Sequence, residues 1–90
     1  MPKIEHTRQF LKDVRKWKRS GKGLEPLEEL LRVIQQGTWP LPAQYEAHML
    51  TGMMEGIWDI HLRKNWIVLA EFHEGTVITL RMGTHAELGL

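Results

Sequence analysis

The stretch Trp58-Asp59-Ile60-His61-Leu62-Arg63-Lys64-Asn65-Trp66-Ile67-Val68-Leu69-Ala70-Glu71-Phe72-His73-Glu74-Gly75-Thr76-Val77-Ile78-Thr79-Leu80-Arg81-Met82 contains three apolar runs separated by short polar breaks. Its period begins as two: Trp58, Ile60 and Leu62 fall on one face of a strand, Asp59 and His61 on the other. Residues 66–72 read as a more fully buried strand, suited to the middle of a sheet. Glu74-Gly75 supplies a turn into a third strand, Thr76 to Met82, where Ile78, Leu80 and Met82 alternate with Val77, Thr79 and Arg81. Links this short require an antiparallel meander. One face of that sheet is left open, and Asp59, His61 and Arg81 are expected to project from it. A one-residue bulge would reverse the parity on which this rests.

Upstream the period becomes helical. Thr7 is placed to cap a helix over residues 7–19, with Phe10, Leu11, Val14 and Trp17 on one face. Gly21 and Gly23 break it. A second helix starts near Glu25 with Pro26 in its first turn, carries Leu27, Leu30, Leu31 and Ile34 as its apolar stripe, and stops at Gly37. Trp39-Pro40-Leu41-Pro42 reads as extended loop. Residues 43–55 show no single period, and Lys3 to His6 could add an edge strand. The expectation is one domain over residues 1–90 of the α+β class. Two antiparallel N-terminal helices pack on one face of a small twisted antiparallel sheet.

Composition narrows the setting. No cysteine is present, so neither a disulfide nor a cysteine zinc site can form. No apolar run approaches the roughly 20 residues needed to span a membrane, and residues 1–5 lack the apolar stretch of a signal peptide. These features predict a soluble protein of the cytoplasm. Charge is divided along the chain. Residues 1–36 hold nine Lys/Arg and five Asp/Glu, residues 37–90 three and six. Positive charge is densest in Lys12, Arg15, Lys16, Lys18, Arg19 and Lys22. Such a face either tracks a phosphate backbone or is simply solvated.

Three histidines, His48, His61 and His85, and one arginine, Arg81, are the parts needed to cleave RNA without a metal. One imidazole can accept a proton while another donates one near neutral pH. A guanidinium stays charged and grips a phosphate with paired donors. RNA brings its own nucleophile, the 2′-hydroxyl. Asp59 could orient a histidine or pair with Arg81, and Gly83 could allow a sharp turn or close approach. His6 and His73 receive no role. Trp58 and Trp66 read as core. The histidines are spaced too far apart along the chain for a familiar ligand motif, so neither metal nor cofactor is expected.

The run Leu41-Pro42-Ala43-Gln44-Tyr45-Glu46-Ala47-His48-Met49-Leu50-Thr51-Gly52 resembles the YafQ-type toxins of the RelE/ParE superfamily. So do Trp58-Asp59-Ile60-His61, Asn65-Trp66-Ile67-Val68-Leu69 and Arg81-Met82-Gly83-Thr84-His85-Ala86-Glu87-Leu88. The resemblance covers about half the chain in ordered blocks. It implies a RelE-like fold and the toxin of a bacterial type II toxin–antitoxin pair, a ribosome-dependent endoribonuclease of translated mRNA. It also implies a cognate antitoxin of ribbon-helix-helix type, through which alone operator DNA would be reached. Carried over by position, His48 and His61 are active-site histidines, with His48 favoured as base, and His85 is the general acid. Arg81 binds phosphate, Trp66 and position 65 support the site, and the basic helix faces ribosomal RNA. The chain departs from that pattern twice. Asn65 stands where the family has an acid, and Gly89-Leu90 follow Leu88 where an aromatic is common. Asn65 keeps open a second expectation, a binding toxin of the same fold without catalysis.

Overall fold

The order of elements in the computed structural model, which describes residues 2–90, is β1 (Lys3–His6), α1 (Arg8–Arg19), α2 (Glu25–Gln35), β2 (His48–Met49), β3 (Ile57–Arg63), β4 (Trp66–His73) and β5 (Thr76–Gly83). Single 3-10 turns at Ala43–Tyr45 and Gly52–Met54 occupy the stretch without a clear period. Thr7 caps α1, its Oγ1 accepting from the Phe10 N–H at 3.0 Å. Pro26 lies in the first turn of α2, and Gly37 closes that helix at φ 77°.

The strands form one sheet in the order β1-β5-β4-β3-β2. β3, β4 and β5 are the expected meander, with β4 in the middle. The expected all-antiparallel sheet is corrected at one edge: β1 runs parallel to β5, pairing Lys3 with Thr76 through His6 with Thr79. A parallel partner needs a long crossover, and here the N-terminal and C-terminal strands meet with most of the chain between them. Phe10 of α1 and Leu27, Leu30 and Ile34 of α2 pack with Ile60, Leu62, Trp66, Val68, Ala70, Val77 and Met82 in one core. Both helices therefore cover the same face of the sheet. Among the described residues no helix is long and apolar enough to cross a membrane.

The alternation expected along β5 fails over its first half. Val77 and Thr79, not Ile78 and Leu80, are the buried residues there. The register with β4 then slips by one: Ala70 lies opposite Thr79, but Leu69 lies opposite Arg81, leaving Leu80 as an extra residue. After the slip Met82 enters the core opposite Val68, and Arg81 joins the other face. The row Asp59–Leu69–Arg81 thus runs across three strands. Asp59 and Arg81 do share a face, through a bulge rather than through simple alternation.

Candidate functional site

Four side chains converge on the open face. Asp59, in the middle of β3, is 4% exposed. Its Oδ2 lies 3.7 Å from His48 Nε2 and 3.8 Å from His85 Nε2, and its Oδ1 lies 3.8 Å from His61 Nδ1. The elements explain the convergence. β2 is short but pairs His48 directly with Asp59. His61 is two residues along β3, hence on the same face. His85 follows the end of β5, two strands away. The ring centroids of His48 and His61 are 6.0 Å apart, and those of His61 and His85 5.3 Å.

Hydrogen bonds determine which nitrogen of two rings carries a proton. His48 Nδ1 lies 3.2 Å from the Glu46 carbonyl, which can only accept, so Nδ1 is the donor and Nε2 is turned toward Asp59. The Asn65 side-chain oxygen accepts from the His85 backbone N–H at 3.3 Å and lies 3.1 Å from His85 Nδ1. A backbone N–H can only donate, so the Asn65 atom is the oxygen, and His85 Nδ1 must donate to it. Both rings therefore direct Nε2 at the same carboxylate oxygen, and these two nitrogens lie within about 7.5 Å of each other, the sum of their distances to it. His61 differs: its Nδ1 and the Asp59 Oδ1 are both buried without a hydrogen-bond partner.

His85 is fixed by its own turn as well. The Thr84 N–H donates to Glu87 Oε1 at 2.9 Å while the Glu87 N–H donates to Thr84 Oγ1 at 3.2 Å, a reciprocal cap around the histidine. The Thr84 backbone bond, and then Lys16 at 3.2 Å, hold the Glu87 carboxyl below its usual range. Gly83 serves this turn by close packing: a Cβ there would meet Glu87 Oε1 at 3.1 Å.

Arg81 is not paired with Asp59. Asp13 of α1 binds its Nε at 2.9 Å and also accepts from the Met82 N–H at 3.0 Å, beyond the point where β1 stops pairing with β5. The Asp13 bond pulls the Arg81 guanidinium above its ordinary pKa. No Nη1 hydrogen bond to a described residue occupies the outer side of the fork. Sequence reasoning missed Asp13, although it is the lone acid among residues 8–22. Removing it leaves a backbone N–H and a cation unpaired. Asp13→Ala is expected to destabilise the protein by about 1–3 kcal/mol, read as a lower urea midpoint with an unchanged slope.

The remaining expected residues divide cleanly. Trp66 is core, its ring stacked on Trp17 with centroids 4.3 Å apart. Lys12, Arg15, Lys16, Lys18, Arg19 and Lys22 are all exposed, Lys22 lying 4.2 Å over the Trp17 ring. Arg81, Lys16 and Lys22 border a cavity of about 400 Å³ beside the histidines' end of β5. His6 hydrogen-bonds Thr79 and stacks on Phe10, and His73 pairs with Glu71 at 2.8 Å, both apart from the cluster.

Comparison with known proteins adds an independent line. The family described as the bacterial toxin of type II toxin–antitoxin systems, YafQ, matches residues 2–89. The mRNA interferase toxin YafQ of Escherichia coli strain K12 is 34% identical over 85 residues, 94% of this chain and 92% of that protein. The crystal structure of the E. coli DinJ–YafQ complex superposes with a TM-score of 0.89 at 33% identity, covering 98% of each chain. That of a metal-bound toxin from Helicobacter pylori superposes at 0.87 with 26% identity, covering 98% of this chain and 99% of that one.

Proposed function

Since this chain belongs to the family of YafQ toxins of type II toxin–antitoxin systems, we propose that it is an endoribonuclease, an mRNA interferase that cuts translated message on the ribosome by metal-independent acid–base catalysis. The single observation that carries this reading is the aim of two Nε2 atoms, from His48 and His85, at one point on the open face. The 2′-hydroxyl gives its proton to His48 Nε2, whose lone pair is free because Nδ1 carries the hydrogen. The hydroxyl oxygen attacks phosphorus, and the bond from phosphorus to the 5′-oxygen breaks. His85, protonated at Nε2, supplies the proton to that departing oxygen. Asp59 stabilises the imidazolium that forms, and His61 completes the ring of imidazoles around it. Arg81 offers its free Nη1 to the phosphoryl oxygens, where charge builds up. The products are a 2′,3′-cyclic phosphate and a 5′-hydroxyl end.

The exposed cations of α1 lie along ribosomal RNA in this reading, which makes binding fall steeply with salt. The E. coli relative is found in a complex, DinJ–YafQ; for this chain we propose in addition a cognate antitoxin of ribbon-helix-helix type that silences the toxin and carries the complex to operator DNA.

The test uses a programmed ribosome with and without the protein. A cut in the decoding site that survives a chelator supports the enzyme. Tight binding with intact message supports the non-catalytic binder instead. Asn65 supplies a finer check. Asn65→Ala removes both bonds to His85; loss of the ring bond, worth about 1 kcal/mol, is expected to slow cleavage about five- to tenfold. Asn65→Asp favours the protonated His85 ring and is expected to extend activity to higher pH. An unaltered pH–rate profile for Asn65→Asp would show that His85 is not the acid.

A further inference from the structure

Arg81 is held along one edge and open along the other. Its Nε donates to Asp13 Oδ2 at 2.9 Å and its Nη2 to Asp13 Oδ1 at 3.4 Å, so a carboxylate from α1 covers the Nε–Nη2 edge of the guanidinium. One hydrogen on Nη2 and both on Nη1 are left over, and among the described residues no group accepts from them. The far edge, one N–H from each Nη, is the fork that grips two oxygens of a phosphate. The carboxylate is itself fixed. Oδ2 also accepts from the Met82 N–H at 3.0 Å, and Oδ1 from Gln9 Nε2 at 3.2 Å. β1 pairs with β5 only as far as Thr79, and past that point Asp13 takes a backbone N–H that a neighbouring strand would otherwise take. The Asp13 side chain is 9% exposed and that of Arg81 39%. The pair is therefore anchored at its inner end and open at its outer one.

We propose that Asp13 is a positioning residue of the cleavage reaction: it fixes Arg81 so that the far edge of the guanidinium meets the phosphate under attack. This rests on the nuclease reading above. An unheld arginine gives up the freedom of a long side chain each time it binds phosphate. Held by Asp13, it has given up that freedom on folding, and its donors stand where charge builds up. Released, the guanidinium has another carboxylate to turn to, since Glu87 borders the same cavity and already acts on its charge. Glu87 caps the turn that carries His85, so such a move would disturb the acid as well. Asp13 touches no reacting atom and carries no proton in this role. Its whole effect runs through Arg81.

The experiment is a double-mutant cycle with the intact protein, read as single-turnover cleavage on programmed ribosomes. Asp13→Asn keeps an amide oxygen for the Met82 N–H but loses the charge and the second acceptor. It is expected to cut about tenfold more slowly than the parent while binding ribosomes as tightly. Arg81→Ala is expected to lose about 10²–10³-fold, the range for one donor to developing charge. In the Arg81→Ala background, Asp13→Asn is expected to add less than about twofold, because residues that act as a unit are not additive. Equal factors in both backgrounds overturn the proposal and mark Asp13 as purely structural. Undiminished cleavage by Asp13→Asn overturns it too. A second measurement needs no variant to fold. In NMR of the parent, the Arg81 Nε–H is expected to exchange with water at least about tenfold more slowly than those of the exposed Arg15 and Arg19. Exchange as fast as theirs overturns the proposal whatever the variants do. A parent that cuts no message refutes the nuclease reading, and the positioning role falls with it. Missing coupling in a parent that does cut refutes the positioning role alone.

Discussion

His85→Ala is expected to lower the single-turnover rate of message cleavage on programmed ribosomes by about 10²–10⁴-fold, the range of one positioned proton donor. That loss amounts to about 3–5 kcal/mol of transition-state stabilisation. The site geometry says why the effect should be at the upper end of what this chain can show. His85 is held by its backbone and by Nδ1, both bonded to Asn65, and by the Thr84–Glu87 cap on either side of it. Little entropy remains to be lost when Nε2 delivers its proton. His61 is less well placed to replace it, since its Nδ1 lies buried on the other oxygen of Asp59. Because the side chain is partly exposed and holds no core contact, thermal stability should change little, and ribosome binding should persist. Growth arrest equal to that of the parent would show that the acid has been misassigned.

The second large effect is on the fold. Trp66→Ala is expected to cost about 3–5 kcal/mol of stability, the range for emptying a buried aromatic position. A chain of ninety residues has about 5–13 kcal/mol in all, so this one change takes a large share of it. Trp66 is 5% exposed and closes the core where α1 meets β4, its ring lying nearly parallel to that of Trp17, 12° from coplanar. Loss of activity in this variant would therefore reflect unfolding, whereas His85→Ala loses activity while folded. Urea denaturation separates the two. Trp66→Phe keeps much of the stacking area and should cost less than half as much. If Trp66→Ala proved as stable as the parent, the Trp17–Trp66 contact would not be a core contact.

Much of this architecture was legible because it is written in local signals. Thr7, Pro26 and Gly37 mark helix ends by their own backbone chemistry, and the alternation of Trp58, Ile60 and Leu62 needs only the pleat. What escaped was non-local. Asp13 gains its role from a sheet edge 68 residues further on, and nothing in α1 announces where β1 will stop pairing. The slip at Leu80 has no signature of its own, since Leu fits either face. Asn65 looked like a weakened acid in the family pattern. In the fold its amide oxygen does a carboxylate's orienting work on His85, short of supplying charge. Adjacent strands bring His48, Asp59 and His61 to neighbouring positions regardless of how far apart they stand along the chain.

The spare residue at Leu80 divides β5 into two segments of opposite phase. Val77 and Thr79 answer to the interior, whereas everything from Arg81 onward is indexed to the cleft. Deleting one residue between Thr79 and Arg81 would erase that offset, swinging the guanidinium inward beneath the helices and Met82 outward into water. Length at this point is therefore under tighter constraint than residue type. Descendants of this chain should tolerate exchange of Leu80 for another aliphatic far more readily than its loss, and any pairing of the chain with a distant cousin that opens a gap there misaligns the face that carries Asp59 and Arg81.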